Sequence, residues 1–226
     1  MRLSDIAAAI TIAVACAAAH GQPAPEIYRY YAPLYGDKLG EYARAQGFND
    51  KEEERAVVAH ELIHIAQAHH QGYYIDSVYT GPYLLDPVWK AFPLPTNRDV
   101  LASLSYDERN GFIQRLYATN TPENTLGNVI DEVNAYRLTA GWVCQKAPKD
   151  RCQKQIVSLA GQIELAAQHL RLFRKKDPDA AERFRDSPPG KLVQRILTVG
   201  TRTLLEIGGS VGKVASAELP IWDSKR

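Results

Sequence analysis

Residues 51–70 constrain the fold of this sequence more than any other stretch, because their pattern is that of a helix that is apolar nearly all round. Asp50 can cap the first turn, and Glu53 at the third helical position completes a capping-box pattern. Gly72 follows the expected end, as is typical of a helix stop. A helix with apolar residues on all sides is buried inside a protein. The apolar positions are Ala56, Val57, Val58, Ala59, Leu62, Ile63, Ile65, Ala66 and Ala68.

The rest of the chain carries more helix signals than strand signals, so we expect a mainly α fold with little or no β-sheet. Residues 73–97, which hold four tyrosines and several prolines, are interpreted as an irregular loop with a possible short hairpin. No linker is long enough to divide domains, so 22–226 is expected to form one helical domain. The other expected helices lie near 37–46, 105–118, 121–141, 149–175, 177–188 and 191–207.

The N-terminus has the organisation of a secretory signal peptide. Arg2 precedes an uncharged apolar run over 6–19, and a polar, proline-containing stretch follows. The run is too short to span a bilayer comfortably, since a transmembrane helix needs about 20 apolar residues. We therefore expect 1–21 to be a signal peptide and the protein to be exported, periplasmic or secreted. An alternative is a lipid anchor on Cys16.

Cysteine content and charge limit the compartment and the partners. Cys144 and Cys152 are the cysteines that follow the leader, and an oxidising compartment would let them form a disulfide. A zinc knuckle there is disfavoured, because no neighbouring His or Cys supplies further ligands. A formal net charge of +1 argues against nucleic acid as a partner, since such proteins neutralise phosphates with an excess of Lys and Arg.

The helix at 51–70 also carries a pattern that binds metal. His60 and His64 lie four residues apart, so their imidazoles project from one face, one turn apart, and can reach a single zinc ion. Glu61 follows the first histidine, and its carboxylate can take a proton from a water that the metal acidifies to a pKa of about 7. Burying these three polar residues in an apolar helix is costly without a partner. The sequence therefore predicts zinc held by His60 and His64, with Glu61 as general base.

The segment VVAHELIHIAQ, residues 57–67, resembles the active-site helix of the zincin metallopeptidases. This resemblance covers about a dozen residues and implies a zincin-like helical domain, a peptide or protein substrate and a third protein ligand. In the gluzincin type that ligand is a glutamate on a downstream helix. Glu132, within NVIDEVNAYR, resembles the ExxxD form of that motif, with Tyr136 in place of the aspartate.

Three residues are candidates for the third ligand. His70 stands where the metzincin pattern has its last histidine, but Gln67 replaces the required glycine and no methionine turn is present, so we reject it. On the helix around residue 130, the expected apolar stripe consists of Leu126, Val129, Ile130 and Val133. Helical periodicity places Glu132 at the edge of this stripe and Asp131 well away from it. The sequence therefore favours Glu132, facing inward, over Asp131, facing solvent.

The aspartate that Tyr136 replaces normally holds a ligand histidine through a hydrogen bond, as the resemblance implies. Tyr136 can orient a ligand, donate to a developing oxyanion, or only pack. Asn128 and Asn134 are weaker candidates for supporting a ligand.

Three functions remain open on these grounds. The first is hydrolysis of a peptide bond at zinc, with Glu61 as base. The second is a non-enzymatic exported module in which zinc is structural or a cleft binds a partner; a fourth protein ligand would favour it. The third is a zinc hydrolase acting on a non-peptide amide.

Overall fold

The computed structural model describes residues 23–111, 114–144 and 149–222. It is mainly α, 77% helical, with ten α-helices and a two-stranded antiparallel sheet in the described residues, which confirms the predicted fold class. The predicted signal peptide and Cys16 lie outside the described residues. None of the helices described is long and apolar enough to cross a membrane. The chain forms two compact units, the first ending at Tyr83 and the second beginning at Leu84.

The first unit contains two helices and a hairpin: α1 Pro23–Ala45, α2 Lys51–His70, β1 Tyr73–Ile75 and β2 Val78–Thr80. The second unit begins with a 3-10 helix, Pro87–Ala91, and continues with α3 Asn97–Ser103, α4 Tyr106–Gly111, α5 Arg115–Asn120, α6 Leu126–Val143, α7 Lys149–Lys176, α8 Pro178–Asp186, α9 Pro188–Glu206 and α10 Lys213–Trp222.

Helix α2 is the buried element that its sequence predicts. The Asp50 carboxylate accepts hydrogen bonds from the backbone N–H groups of Glu52 and Glu53, so the predicted cap is confirmed. Seven of its apolar residues are at most 7% exposed, and they pack against α1. These seven are Ala56, Val58, Ala59, Leu62, Ile63, Ile65 and Ala66.

Helix α2 ends at His70, as predicted, but the residue expected to stop it is wrong. Gln71, not Gly72, adopts the left-handed conformation at the helix end, with φ of 50°. Gly72 is needed for a different reason, because a β-carbon there would lie 3.1 Å from the backbone of Thr80. The glycine thus lets β2 return beside β1, and the turn at Asp76 and Ser77, both at positive φ, fits the right-handed twist of a two-residue hairpin.

Helix α1 is about twice as long as the predicted short helix at 37–46. It begins at Pro23, since proline suits the first helical turn, and its buried residues follow a helical stripe: Ile27, Tyr31, Leu39 and Ala43. The density of tyrosine and glycine hides this stripe in the sequence.

The second unit is built around α6 and α7, which pack side by side, with α9 against α6 and α10 against α7. The predicted stripe of α6 is confirmed: Leu126, Val129, Ile130 and Val133 are all 0% exposed. An aromatic cluster around Phe184, itself fully buried, joins further elements. Its members are Trp89, Phe92, Phe173 and Trp222, with ring centroids 5.1–6.2 Å from that of Phe184.

Several predicted boundaries in this unit are wrong. The helix expected over 105–118 is instead two helices, α4 and α5, on either side of residues 112 and 113, which are outside the described part. The helix expected from 121 starts at Leu126, because Thr125 and Asn128 form a capping box there. Helix α9 starts at Pro188, three residues earlier than expected, and α10 was not predicted.

The predicted disulfide is confirmed. Cys144 and Cys152 are bonded, with sulfur atoms 2.03 Å apart, and the bond joins the end of α6 to the first turns of α7. It closes a sequence separation of eight residues.

Candidate functional site

His60 and His64 lie together on α2, as their spacing requires. Their Nε2 atoms are 3.1 Å apart and their ring centroids 4.7 Å apart, with the rings nearly perpendicular. His60 is buried and His64 is half-buried. Two nitrogen ligands about 2.0–2.1 Å from a tetrahedral zinc ion are roughly 3.3 Å from one another, so the observed separation suits a shared cation.

One group of three side chains that could hold a metal ion occurs among the described residues: His60, His64 and Glu132. Each offers one ligand atom, and these atoms all lie within 4.8 Å of one another. Two imidazole nitrogens and one carboxylate oxygen form a ligand set that zinc accepts, and three protein ligands leave a fourth position open.

Glu61 follows His60 on α2 and is half-buried. In the part of the chain that the structure describes, its carboxylate forms no hydrogen bond or ion pair. Its carboxylate is therefore not engaged by another described side chain, as a group that exchanges a proton with a water molecule requires.

Helix α6 presents Glu132 one turn before Tyr136, and both side chains are half-buried. The prediction that Asp131 faces solvent is wrong, since Asp131 is only 8% exposed. Helix α6 is buried on more than the predicted stripe because it packs against both α7 and α9, and Ala135 and Leu138 are buried as well. Contrary to the prediction, Asp131 is the more buried of the two neighbouring carboxylates.

The two asparagines considered as supporting residues have structural contacts on α6. The Asn128 carbonyl oxygen accepts from the Thr125 backbone N–H at 3.0 Å and caps the helix. Asn134 is fully buried, and its carbonyl oxygen accepts two hydrogen bonds from the Arg137 guanidinium, at 3.1 and 2.8 Å.

Tyr117 on α5 is a neighbour of Glu132 that the sequence does not indicate. Burial raises the pKa of its phenol, and the negative charge of Glu132 raises it further. Asn124 donates a hydrogen bond to the phenol oxygen at 3.2 Å, which leaves the Tyr117 hydroxyl hydrogen available as a donor. No spacing or motif points to Tyr117, because it reaches Glu132 only through the packing of α5.

His69 and His70 do not belong to this group. The Tyr31 hydroxyl and the Nδ1 atom of His69 are 3.2 Å apart, and the His70 ring stacks on Tyr79 with centroids 3.9 Å apart. The rejection of His70 as a ligand agrees with this placement, and the pair instead ties the end of α2 to α1 and to the hairpin.

Comparison of the chain with protein-family models, with curated proteins and with solved structures finds no match.

Proposed function

We propose that this protein is an exported zinc-dependent hydrolase that cleaves peptide bonds. The observation that supports it most strongly is the close grouping of one ligand atom each from His60, His64 and Glu132, within 4.8 Å of one another. Glu61, whose carboxylate has no described partner, stands beside the first of these ligands on α2. A metal with an open position and an adjacent base is the arrangement that hydrolysis of an amide requires.

Each residue has a distinct part in the proposed reaction. Zinc, when bound, would acidify a water molecule and polarise the substrate carbonyl. Glu61 accepts a proton from that water as its oxygen bonds to the carbonyl carbon. The same carboxyl then gives the proton to the leaving nitrogen as the carbon–nitrogen bond breaks. Tyr136, on the helix of Glu132, is proposed to donate a hydrogen bond to the oxyanion.

The test measures zinc binding and peptide hydrolysis separately. We expect the purified protein to hold one zinc ion per chain by elemental analysis, and Glu61→Gln to hold the same amount. Glu61→Gln should lose turnover of a peptide mixture followed by mass spectrometry, because an amide cannot accept the proton. His64→Ala should lose both the zinc and the turnover. Hydrolysis by Glu61→Gln at the original rate would refute the mechanism.

Export is proposed on two grounds. The N-terminal pattern is that of a signal peptide, and the Cys144–Cys152 disulfide is of a kind that persists in oxidising compartments. We expect the mature protein, recovered from outside the cytoplasm, to begin near residue 22 by N-terminal mass spectrometry. An intact Met1 on the exported protein would contradict the predicted cleavage.

A further inference from the structure

The last described helix, α10, is joined to α9 by a short glycine-rich linker. Residues 207–212 include three glycines, and Gly208 has a positive φ of 84°. Glycine tolerates backbone angles that other residues do not, so this linker can change direction at little cost. A flexible linker before a helix of this kind is the arrangement in which the helix can leave its own chain and dock on another.

Helix α10 buries few of its side chains. Ala215, Glu218 and Trp222 are at most 4% exposed, and their spacing places them on one face of the helix. The other seven residues of α10 are half-buried or exposed. The helix packs mainly against α7, and Trp222 also contacts the ring of Phe184 on α8, with centroids 6.2 Å apart. An element with so few buried apolar contacts opens at a lower free energy than the core around it.

Glu164 on α7 holds the start of α10. Its carboxylate accepts hydrogen bonds from the backbone N–H groups of Val214 and Ala215, both at 3.0 Å. Gly212 permits this approach, since a β-carbon there would lie 2.2 Å from a Glu164 oxygen. The N–H groups of a first helical turn have no partner within the helix, and a negative charge is favourable beside them. The start of α10 is therefore anchored by a polar contact to α7.

Glu218 is the second anchor of α10. Its buried carboxylate accepts hydrogen bonds from Nε and Nη2 of Arg174 on α7, at 3.0 and 2.9 Å. The indole N–H of Trp222 donates to the same carboxylate at 2.9 Å. Burying a charge without such partners is costly, so this place on α7 suits a helix that carries a glutamate opposite Arg174. Arg174 is therefore the residue of α7 that recognises α10.

We propose that α10 is an exchangeable arm, which leaves its own α7 as a unit and docks at the same place on α7 of a second copy of the chain. The inference concerns the second unit alone and does not rest on the proposed function. Reciprocal exchange joins two copies through the same contacts that one copy makes alone. Because each copy's own α10 is tethered at high effective concentration, the single chain predominates in dilute solution.

The first experiment reverses the charge of Arg174 in one variant and of Glu218 in another. Arg174→Glu sets two carboxylates against each other, and Glu218→Arg sets two guanidinium groups against each other, so each variant repels its own α10. In an equimolar mixture, exchange restores a pair of opposite charges at both docking places. We expect native mass spectrometry to show each variant alone as a monomer and the mixture as a dimer with one copy of each.

The matched control carries both reversals in one chain. Its own α10 again meets an opposite charge on α7, so we expect a monomer that forms no dimer with either single variant. If both single variants are folded by circular dichroism and their mixture contains monomers alone, the proposal is overturned.

The second experiment uses the wild-type chain, so it stands even if a variant does not fold. Hydrogen exchange followed by mass spectrometry measures the opening of each helix separately. We expect the amides of α10 to exchange together, roughly tenfold or more faster than those of α7 and α9, because α10 opens while these helices stay folded. Equal protection of α10 and α7 would mean that α10 leaves only on global unfolding, which contradicts an exchangeable arm.

Discussion

Glu132 and Asp131 are adjacent carboxylates on α6, and they offer a matched pair for testing the metal site. Both are largely shielded from solvent, but the group that could hold a metal ion includes Glu132 and not Asp131. We expect Glu132→Gln to weaken zinc binding by at least tenfold, because a neutral amide is a poorer ligand than a carboxylate. Asp131→Asn should keep one zinc ion per chain. Zinc affinity is measured by competition with a coloured chelator.

The opposite outcome of that comparison has a clear meaning. If Asp131→Asn lost the metal and Glu132→Gln kept it, the ligand would be the more buried carboxylate. The resemblance of NVIDEVNAYR to the gluzincin motif would then have misled the assignment of Glu132, while the roles of His60 and His64 would stand.

His70 provides a second prediction at the scale of a residue. Burial lowers its pKa, and the neighbouring His69 lowers it further. A folded-state pKa below the unfolded value of about 6.5 means that the neutral ring contributes stability above pH 6.5, and that this contribution is lost as the pH falls. The melting temperatures of wild type and His70→Gln should therefore converge on acidification. A difference in melting temperature that widens in acid would contradict the lowered pKa of His70.

At the scale of the element, the disulfide is the contact whose removal is simplest to interpret. Cys144 and Cys152 connect α6 to α7, the central pair of the second unit. Closing so short a loop restricts the unfolded chain, and in the chain-entropy model this stabilises the fold by about 2–3 kcal/mol. We expect the double variant Cys144→Ser, Cys152→Ser to lose roughly that free energy of unfolding in urea. An unchanged value would show that the loop is already restricted without the bond.

Helices whose stability is encoded locally were predictable, and those held by distant contacts were not. Helix α2 was predicted with its start correct because Asp50 caps it and its apolar residues surround it. Helix α7 was predicted because Leu159, Ile163, Ala167 and Leu170 form one stripe, and all four are buried.

Helix α10 shows why such predictions fail. Its first turn is capped by the Glu164 carboxylate, which accepts hydrogen bonds from the backbone N–H groups of Val214 and Ala215 at 3.0 Å. Its buried Glu218 receives two hydrogen bonds from Arg174 on α7, at 3.0 and 2.9 Å. These partners are 44–51 residues away in the chain, so no local sequence pattern predicts the helix. The same limitation applies to Tyr117, which approaches Glu132 from a different helix.

For the whole molecule, the proposed zinc site would link metal binding to stability by mass action. A ligand that binds only the folded chain stabilises it by about 2.7 kcal/mol at a free concentration of 100 times its dissociation constant. For a protein of this size, that corresponds to a rise in melting temperature of roughly 5–10 °C. We therefore expect a chelator to lower the melting temperature by that amount and added zinc to restore it, measured by calorimetry.

Variants of Glu61 and of the proposed ligands test whether the change in melting temperature comes from the proposed site. Glu61→Gln retains the three proposed ligands, so its melting temperature should respond to the chelator and to zinc as the wild type does. His64→Ala and Glu132→Gln should gain less melting temperature from zinc than the wild type, because each lacks a proposed ligand. An equal response in His64→Ala would place the stabilising zinc elsewhere in the chain. Since the readout is thermal, it tests the metal site even in a variant without turnover.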